Sequence, residues 1–239
     1  MVTAREIIIY FAIIHEGNWH RIYKSIETKE VVDKVKLSQV LNSFYYNCVT
    51  ILDPEYPDSL KQIYEPPFVL FYYGDLRLLK MTRLVAIVGT REPSSYAIKA
   101  TKEIISHLED TVVVSGLASG IDSVAHKAAL DHQLMTIAVL GSGIDNCYPR
   151  HNLELYERIK NEQLLISEYP RLTPPHDYHF PKRNRIIAAL SKAVVVIEAR
   201  KKSGTLITVN HALVMGKDIY ALPHEINADD ETNTLIKDG

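Results

Sequence analysis

The residues best suited to chemistry lie between positions 180 and 205, in the run FPKRNRIIAALSKAVVVIEARKKSGT. Lys182, Arg183 and Arg185 open an apolar helical run. A β-branched strand follows and ends in Glu198, and Arg200, Lys201 and Lys202 precede Ser203-Gly204-Thr205. From Arg171 to Lys202, eight Lys or Arg stand against Asp177 and Glu198, a net of +6 in a chain of net −2. A positive island on an acidic body points to a local anionic ligand and away from diffuse attraction to any polyanion. Phosphate is the anion that Arg, Lys, backbone N–H and small hydroxyl groups recognise together. Phe180 opens this run, and Tyr148, Tyr169 and Tyr178 lie close by in sequence. Such rings stack on the bases of single-stranded nucleic acid, and they equally serve to plug a sheet edge.

Two further loops have phosphate-binding character. Gly89-Thr90-Arg91-Glu92-Pro93-Ser94-Ser95 places Arg91 just before a helix that Ser94 or Ser95 can cap. Ser115-Gly116-Leu117-Ala118-Ser119-Gly120-Ile121-Asp122 combines two Gly with two Ser in a strand-to-helix turn, where backbone can approach an oxyanion closely. Asp122 reads as a cap or as an acceptor that orients the loop. Neither loop is GxGxxG or a Walker A motif. Gly141-Ser142-Gly143 follows another strand and is weak by itself. Catalytic machinery is not evident. Ser115 and Ser203 lack a nucleophile elbow, and no Cys, Asp or Glu completes a zinc pattern around His176-x-x-His179. No catalytic residue, metal or cofactor is therefore expected. Glu198 ends a strand, where it serves as either a catalytic carboxylate or a structural acceptor.

These loops need a scaffold, and the hydropathy pattern supplies one. Apolar runs at 68–73, 84–88, 112–114, 136–140, 164–166, 194–197 and 219–222 alternate with helical segments at 95–108, 123–131, 153–160, 184–190 and 205–215. Short apolar strands without period-two alternation are buried on both faces, which predicts an α/β fold with a mostly parallel, doubly wound sheet. Ligands on such sheets bind beyond the carboxyl ends of the strands. The first part of the chain reads as helical. Thr3-x-x-Glu6 forms a capping box, Gly17 ends that helix, Asn18 caps a second, and residues 37–46 supply another. Pro-rich punctuation at 53–57 and 65–67 separates this module, residues 1–52, from a larger domain at 53–239. With 46% hydrophobic and 23% charged residues the chain has ample core. The apolar run at 7–14 is too short to span a bilayer, and Cys48 and Cys147 fit a reducing cytosol.

In this order the loops resemble the DNA-processing protein A (DprA/Smf) family. The resemblance runs through Gly89-Thr90-Arg91, Ser115-Gly116-x-Ala118-x-Gly120-Ile121-Asp122, Gly141-x-Gly143-x-Asp145-x-x-Tyr148-Pro149-x-x-Asn152 and Ser167-Glu168-x-Pro170. It continues through Phe180-Pro181-x-Arg183-Asn184-Arg185-Ile186-Ile187-Ala188, Val196-x-Glu198, Ser203-Gly204-Thr205-Leu206-x-Thr208 and Ala221-x-Pro223. His224 stands where the family often has Gly. The resemblance implies an extended Rossmann-like domain behind a sterile-alpha-motif-like helical module. It also implies a cytoplasmic, non-enzymatic homodimer that binds single-stranded DNA during natural transformation and loads the RecA recombinase. The implied DNA site comprises Arg91, Ser115, Gly116, Ser119, Gly120, Phe180, Lys182, Arg183, Arg185, Ser203, Gly204 and Thr205, with one of the clustered basic residues free to be buried against Glu198 or Asp122. The rival reading is a nucleotide phosphoribohydrolase of the lysine-decarboxylase-like type, whose Pro-Gly-Gly-x-Gly-Thr motif is absent.

Overall fold

The computed structural model describes residues 2–43, 47–201, 203–225 and 230–238. The chain begins with α1 (Ala4–Ile14), α2 (Trp19–Glu27) and α3 (Lys34–Asn42). It continues through β1 (Asn47–Thr50), α4 (Asp58–Lys61), β2 (Val69–Gly74), β3 (Leu84–Val88) and α5 (Ser95–Ser106). Then follow β4 (Val112–Ser115), α6 (Ile121–Asp131), β5 (Met135–Leu140), α7 (Leu153–Glu162) and β6 (Leu164–Ser167). The last elements are α8 (His179–Leu190), β7 (Ala193–Val196), α9 (Gly204–Val214), β8 (Asp218–Ala221) and α10 (Glu231–Asp238).

The strands form one eight-stranded sheet among the described residues, in the order β1-β2-β6-β5-β4-β3-β7-β8. The five pairings from β6 to β8 are parallel, and β1 and β2 add an antiparallel edge. The mostly parallel, doubly wound sheet predicted from the strand pattern is therefore the observed one. Alternate residues of each strand enter different cores, as double winding requires. Val112 and Val114 meet α8 and α9 residues such as Ile187 and Val209, whereas Val113 meets α5 and α6 residues such as Ile105 and Ala125. Chain order reverses at β3, which has β4 on one side and β7 on the other. This is the switch point at which a parallel sheet opens a crevice for a ligand.

The Thr3–Glu6 capping box forms as predicted. Ile8 to Ala12 are buried in a core shared with β2, β5, β6 and α7, so the apolar run of α1 packs against the sheet. Among the described residues no helix is long and apolar enough to cross a membrane. Three details differ from the sequence pattern. β1 is an additional strand. The third helix ends at Asn42, and residues 44–46 of its predicted span lie outside the described residues. α8 begins at His179 and so takes the basic cluster into its first turns. Pro181 is tolerated there because the first helical N–H groups have no intrahelical partner. Cys48 and Cys147 are half-buried free thiols, each pushed up to about 11, chiefly by burial.

Candidate functional site

A cleft of about 590 Å³ opens at the carboxyl ends of β3 and β7, lined by the loop after β3, the first turns of α8 and the start of α9. A narrow extension of about 60 Å³ continues past Gly116, Ser119, Tyr148 and Pro149. Arg91, Ala118 and Phe180 line both.

Arg91 is exposed, and its guanidinium lies 5.4 Å from the centroid of the Phe180 ring. It has no side-chain hydrogen bond or ion pair among the described residues. Cation–π contact holds such a group over a ring and leaves its N–H donors available. Tyr148, 45% exposed, tilts against Phe180 with ring centroids 5.6 Å apart. Phe180 in turn rests on Gly141, where a Cβ would come 2.7 Å from its ring.

Ser203 is the N-cap of α9 but makes no capping bond, and its buried hydroxyl lacks a partner among the described residues. An orphan hydroxyl at a helix N-terminus is a suitable donor for an anion. The Gly204 carbonyl accepts from the Asn184 amide at 3.0 Å, which ties α9 to α8. Space is open where a Cβ on Gly204 would project.

Helical spacing sorts the basic cluster. Phe180, Arg183, Asn184 and Ile187 recur at the three- and four-residue intervals of one helix face, and all line the cleft. His179, Lys182 and Arg185 recur every three residues and face a separate pocket of about 220 Å³ toward α2. Lys182 therefore sits away from the cleft, with its ammonium 3.6 Å from the Glu65 carboxylate. The structure thus places Lys182 apart from the cleft that Arg91 and Phe180 line.

Arg183 and Arg185 are scaffold residues, each 4% exposed. Arg183 donates to the carbonyls of Gly116, at 2.6 Å, and Val139. Burial pushes its pKa down to about 10, opposed by the charge of Asp122, and it remains a cation at neutral pH. Arg185 donates to both Glu168 oxygens at 2.8 and 2.9 Å and to the Glu65 carbonyl at 2.8 Å. Burial acts to lower its pKa, but the charge and hydrogen bonds of Glu168 overcome this and leave it raised. All three guanidinium nitrogens of Arg185 are bonded within the protein, whereas Arg183 also lines the cleft. The acid that pairs with Arg185 is Glu168, a partner the sequence did not indicate.

The Ser115–Gly120 loop is likewise braced from within. The Ser115 hydroxyl donates to the Ile87 carbonyl at 2.7 Å. Asp122 accepts from the N–H groups of Gly116 and Ala118 at 3.2 and 3.4 Å. Two donors expected to face an oxyanion are thus occupied, and Asp122 is the acceptor that orients the loop. Its own pKa is raised, first by burial, against the opposing charge of Arg183. Gly116 admits the Arg183 guanidinium where a Cβ would collide with it. Gly120, at φ +80°, brings the loop within 2.7 Å of the Arg91 Cα, measured from where its Cβ would stand. Ser119 remains partly exposed, 3.2 Å from His151. Thr205 is buried one residue inside α9.

Glu198 is a structural acceptor. Its carboxylate takes the Ser94 N–H at 2.8 Å and the Ser94 hydroxyl at 3.0 Å, while the Ser94 hydroxyl caps Ala97 of α5. Among the described residues no group of three His, Cys, Asp or Glu side chains is placed to hold a metal ion.

The fold and cleft define a class: a doubly wound, Rossmann-like protein whose switch-point crevice is lined by an arginine, a tilted aromatic pair and a helix N-terminus. Within that class, the chain belongs to the DNA recombination-mediator protein A family, whose profile matches residues 47–239. The chain is 44% identical over 211 residues to DNA processing protein DprA of Streptococcus pneumoniae, covering 87% of this chain and 74% of that protein. It is 42% identical over 197 residues to DprA of Bacillus subtilis, covering 79% of this chain and 65% of that protein. The solved Streptococcus pneumoniae DprA structure superposes with a TM-score of 0.82 at 40% identity, over 92% of this chain and 75% of that one. DNA processing protein A from Helicobacter pylori, solved to define its single-stranded DNA binding mode, gives 0.75 at 32% identity, over 82% and 89%.

Proposed function

We propose that this protein binds single-stranded DNA in the switch-point cleft and hands it to the RecA recombinase during natural transformation. The observation that carries the DNA-binding part is the Arg91–Phe180–Tyr148 group facing the α9 N-terminus. An exposed guanidinium without an acidic partner among the described residues stands beside two rings that line the same cleft. Phosphate on Arg91 and the Ser203–Thr205 turn, with bases on the rings, is the pairing that single-strand binding requires. Membership of the recombination-mediator family and likeness to the Helicobacter pylori protein support the same reading.

In this reading Arg91, Phe180, Ser119, Ser203 and Gly204 meet DNA. Gly116, Gly120, Ser115, Thr205, Arg183 and Arg185 shape the surface they stand on. The RecA handover, a homodimeric state, a cytoplasmic location and the absence of nuclease, ATPase or base-releasing activity belong to the proposal through the family. So does the division into a helical module and a Rossmann-like domain, expected at 1–52 and 53–239, although β1 (Asn47–Thr50) already belongs to the sheet.

Fluorescence anisotropy with a labelled oligothymidine and a length-matched duplex, across a salt series, tests the binding. The single strand is expected to bind more tightly, with a log–log salt slope of about 0.7 per phosphate neutralised. Equal or tighter duplex binding would overturn the proposal.

A further inference from the structure

Arg200 lines the cleft but is held by an acid of the same cleft. It lies in the loop after β7, and its Nη1 is 2.9 Å from Oε2 of Glu92 in the loop after β3. Both side chains are largely exposed, at 61% and 76%. An exposed ion pair contributes little to stability and exchanges partners readily. The position of Arg200 is what gives the pair interest. The Ser203 N–H donates to the Arg200 carbonyl at 3.1 Å, so the arginine opens the turn that ends in the Ser203 hydroxyl, unpartnered among the described residues, and the α9 N-terminus. A phosphate at that terminus comes within the neighbourhood of a guanidinium whose planar donors match it better than a single carboxylate oxygen does.

We propose that Arg200 is a second phosphate ligand of the cleft and that Glu92 is its built-in competitor. This rests on the reading of the cleft as a single-strand DNA site. A DNA phosphate displaces the Glu92 carboxylate from Arg200, so each binding event breaks one ion pair and makes another. Glu92 thereby sets the affinity below what the cleft can reach, which suits a protein that must give its strand up.

The test is oligothymidine binding across a salt series by wild type, Glu92→Gln, Arg200→Ala, the Glu92→Gln/Arg200→Ala double variant, and Asp177→Asn. Asp177 is a second exposed carboxylate of the same cleft, with no ion pair among the described residues. It reports what simple removal of negative charge does. Glu92→Gln is expected to bind about three- to tenfold more tightly, because the Arg200 donors then reach the phosphate without first breaking an ion pair. Arg200→Ala in the double variant abolishes that gain. No gain in Glu92→Gln overturns the proposal. So does a gain that survives in the double variant and matches Asp177→Asn, because it reports relief of repulsion without recruitment of Arg200. Failure of the wild type to bind single strands removes the DNA reading and this proposal together, whereas normal wild-type binding with an inert Glu92→Gln removes this proposal alone.

Discussion

The two faces of α8 carry similar side chains into opposite surroundings. Toward the cleft, Phe180 lies half-buried under an arginine from another loop that has no acidic partner among the described residues. Toward α2, Arg185 is buried between Glu168 and the Glu65 carbonyl, and Lys182 leans on the Glu65 carboxylate. Arg183 projects on the cleft side, yet it is bound to the carbonyls of Gly116 and Val139 beneath the cleft floor. A count of positive charge thus locates a region, whereas the partners of each charge decide its role. A cation already bonded to buried acceptors stabilises the scaffold, and one left over an aromatic ring awaits a ligand.

Substitutions on the two sides should separate sharply. Arg185→Ala leaves Glu168 buried and unpaired, and breaking a buried pair from one side costs about 3–5 kcal/mol. A large fall in the thermal or urea midpoint is expected. An unchanged midpoint would mean that the α2-facing side is no scaffold. Arg91→Ala, by contrast, is expected to leave the midpoint unchanged and to weaken oligothymidine binding tenfold or more, since a charged hydrogen bond is worth about 1.5–3 kcal/mol.

Acid should strain the scaffold before it affects the cleft cation. His126 is 0% exposed and is held neutral by burial, with its pKa pushed down to about 3 from an ordinary 6.5. The unfolded chain binds this proton below pH 6.5 and the folded chain does not. The stability contribution is therefore complete above pH 6.5 and is lost as pH falls from there toward 3. By pH 5 the loss is about 2 kcal/mol. Urea midpoints of wild type and His126→Gln should diverge above pH 6.5 and converge below it, and parallel profiles would remove His126 as the cause. The smallest effect is expected for Lys182→Ala. Its half-exposed pairing with Glu65 contributes about 0–1 kcal/mol to stability, and DNA affinity should fall by less than threefold. A loss matching that of Arg91→Ala would return Lys182 to the ligand side.

Much of this architecture is legible in the sequence. Runs such as 84–88 and 112–114 are apolar on both faces because helices cover both sides of the sheet, and that signal is local. β1 lacks it, since Asn47-Cys48-Val49-Thr50 is an edge strand with only its last two residues buried. The loops after β3 and β7 were recognisable from Gly, Arg and Ser at strand ends. The internal use of their donors was not. That Asp122 fills the Gly116 and Ala118 N–H groups, or that Glu198 takes Ser94, depends on distances set by the finished fold. The partners of Arg185 lie 17 and 120 positions away, so charge pairing could not be read locally. A helix that starts at His179 in place of 184 separates Phe180 and Lys182 onto different faces by its three- and four-residue spacing, but it does not name the partners of either face.

The proposed binding mode puts the strand between Arg91, Phe180 and the α9 N-terminus. Photocrosslinking of an oligonucleotide carrying 5-iodouracil, followed by mass spectrometry of the attached peptide, tests it most directly. Adducts on Phe180 or Tyr148, lost in Arg91→Ala at matched protein concentration, are the expected result. Adducts confined to Trp19, Tyr178 or other residues on the α2-facing side, and unaffected by Arg91→Ala, would contradict it.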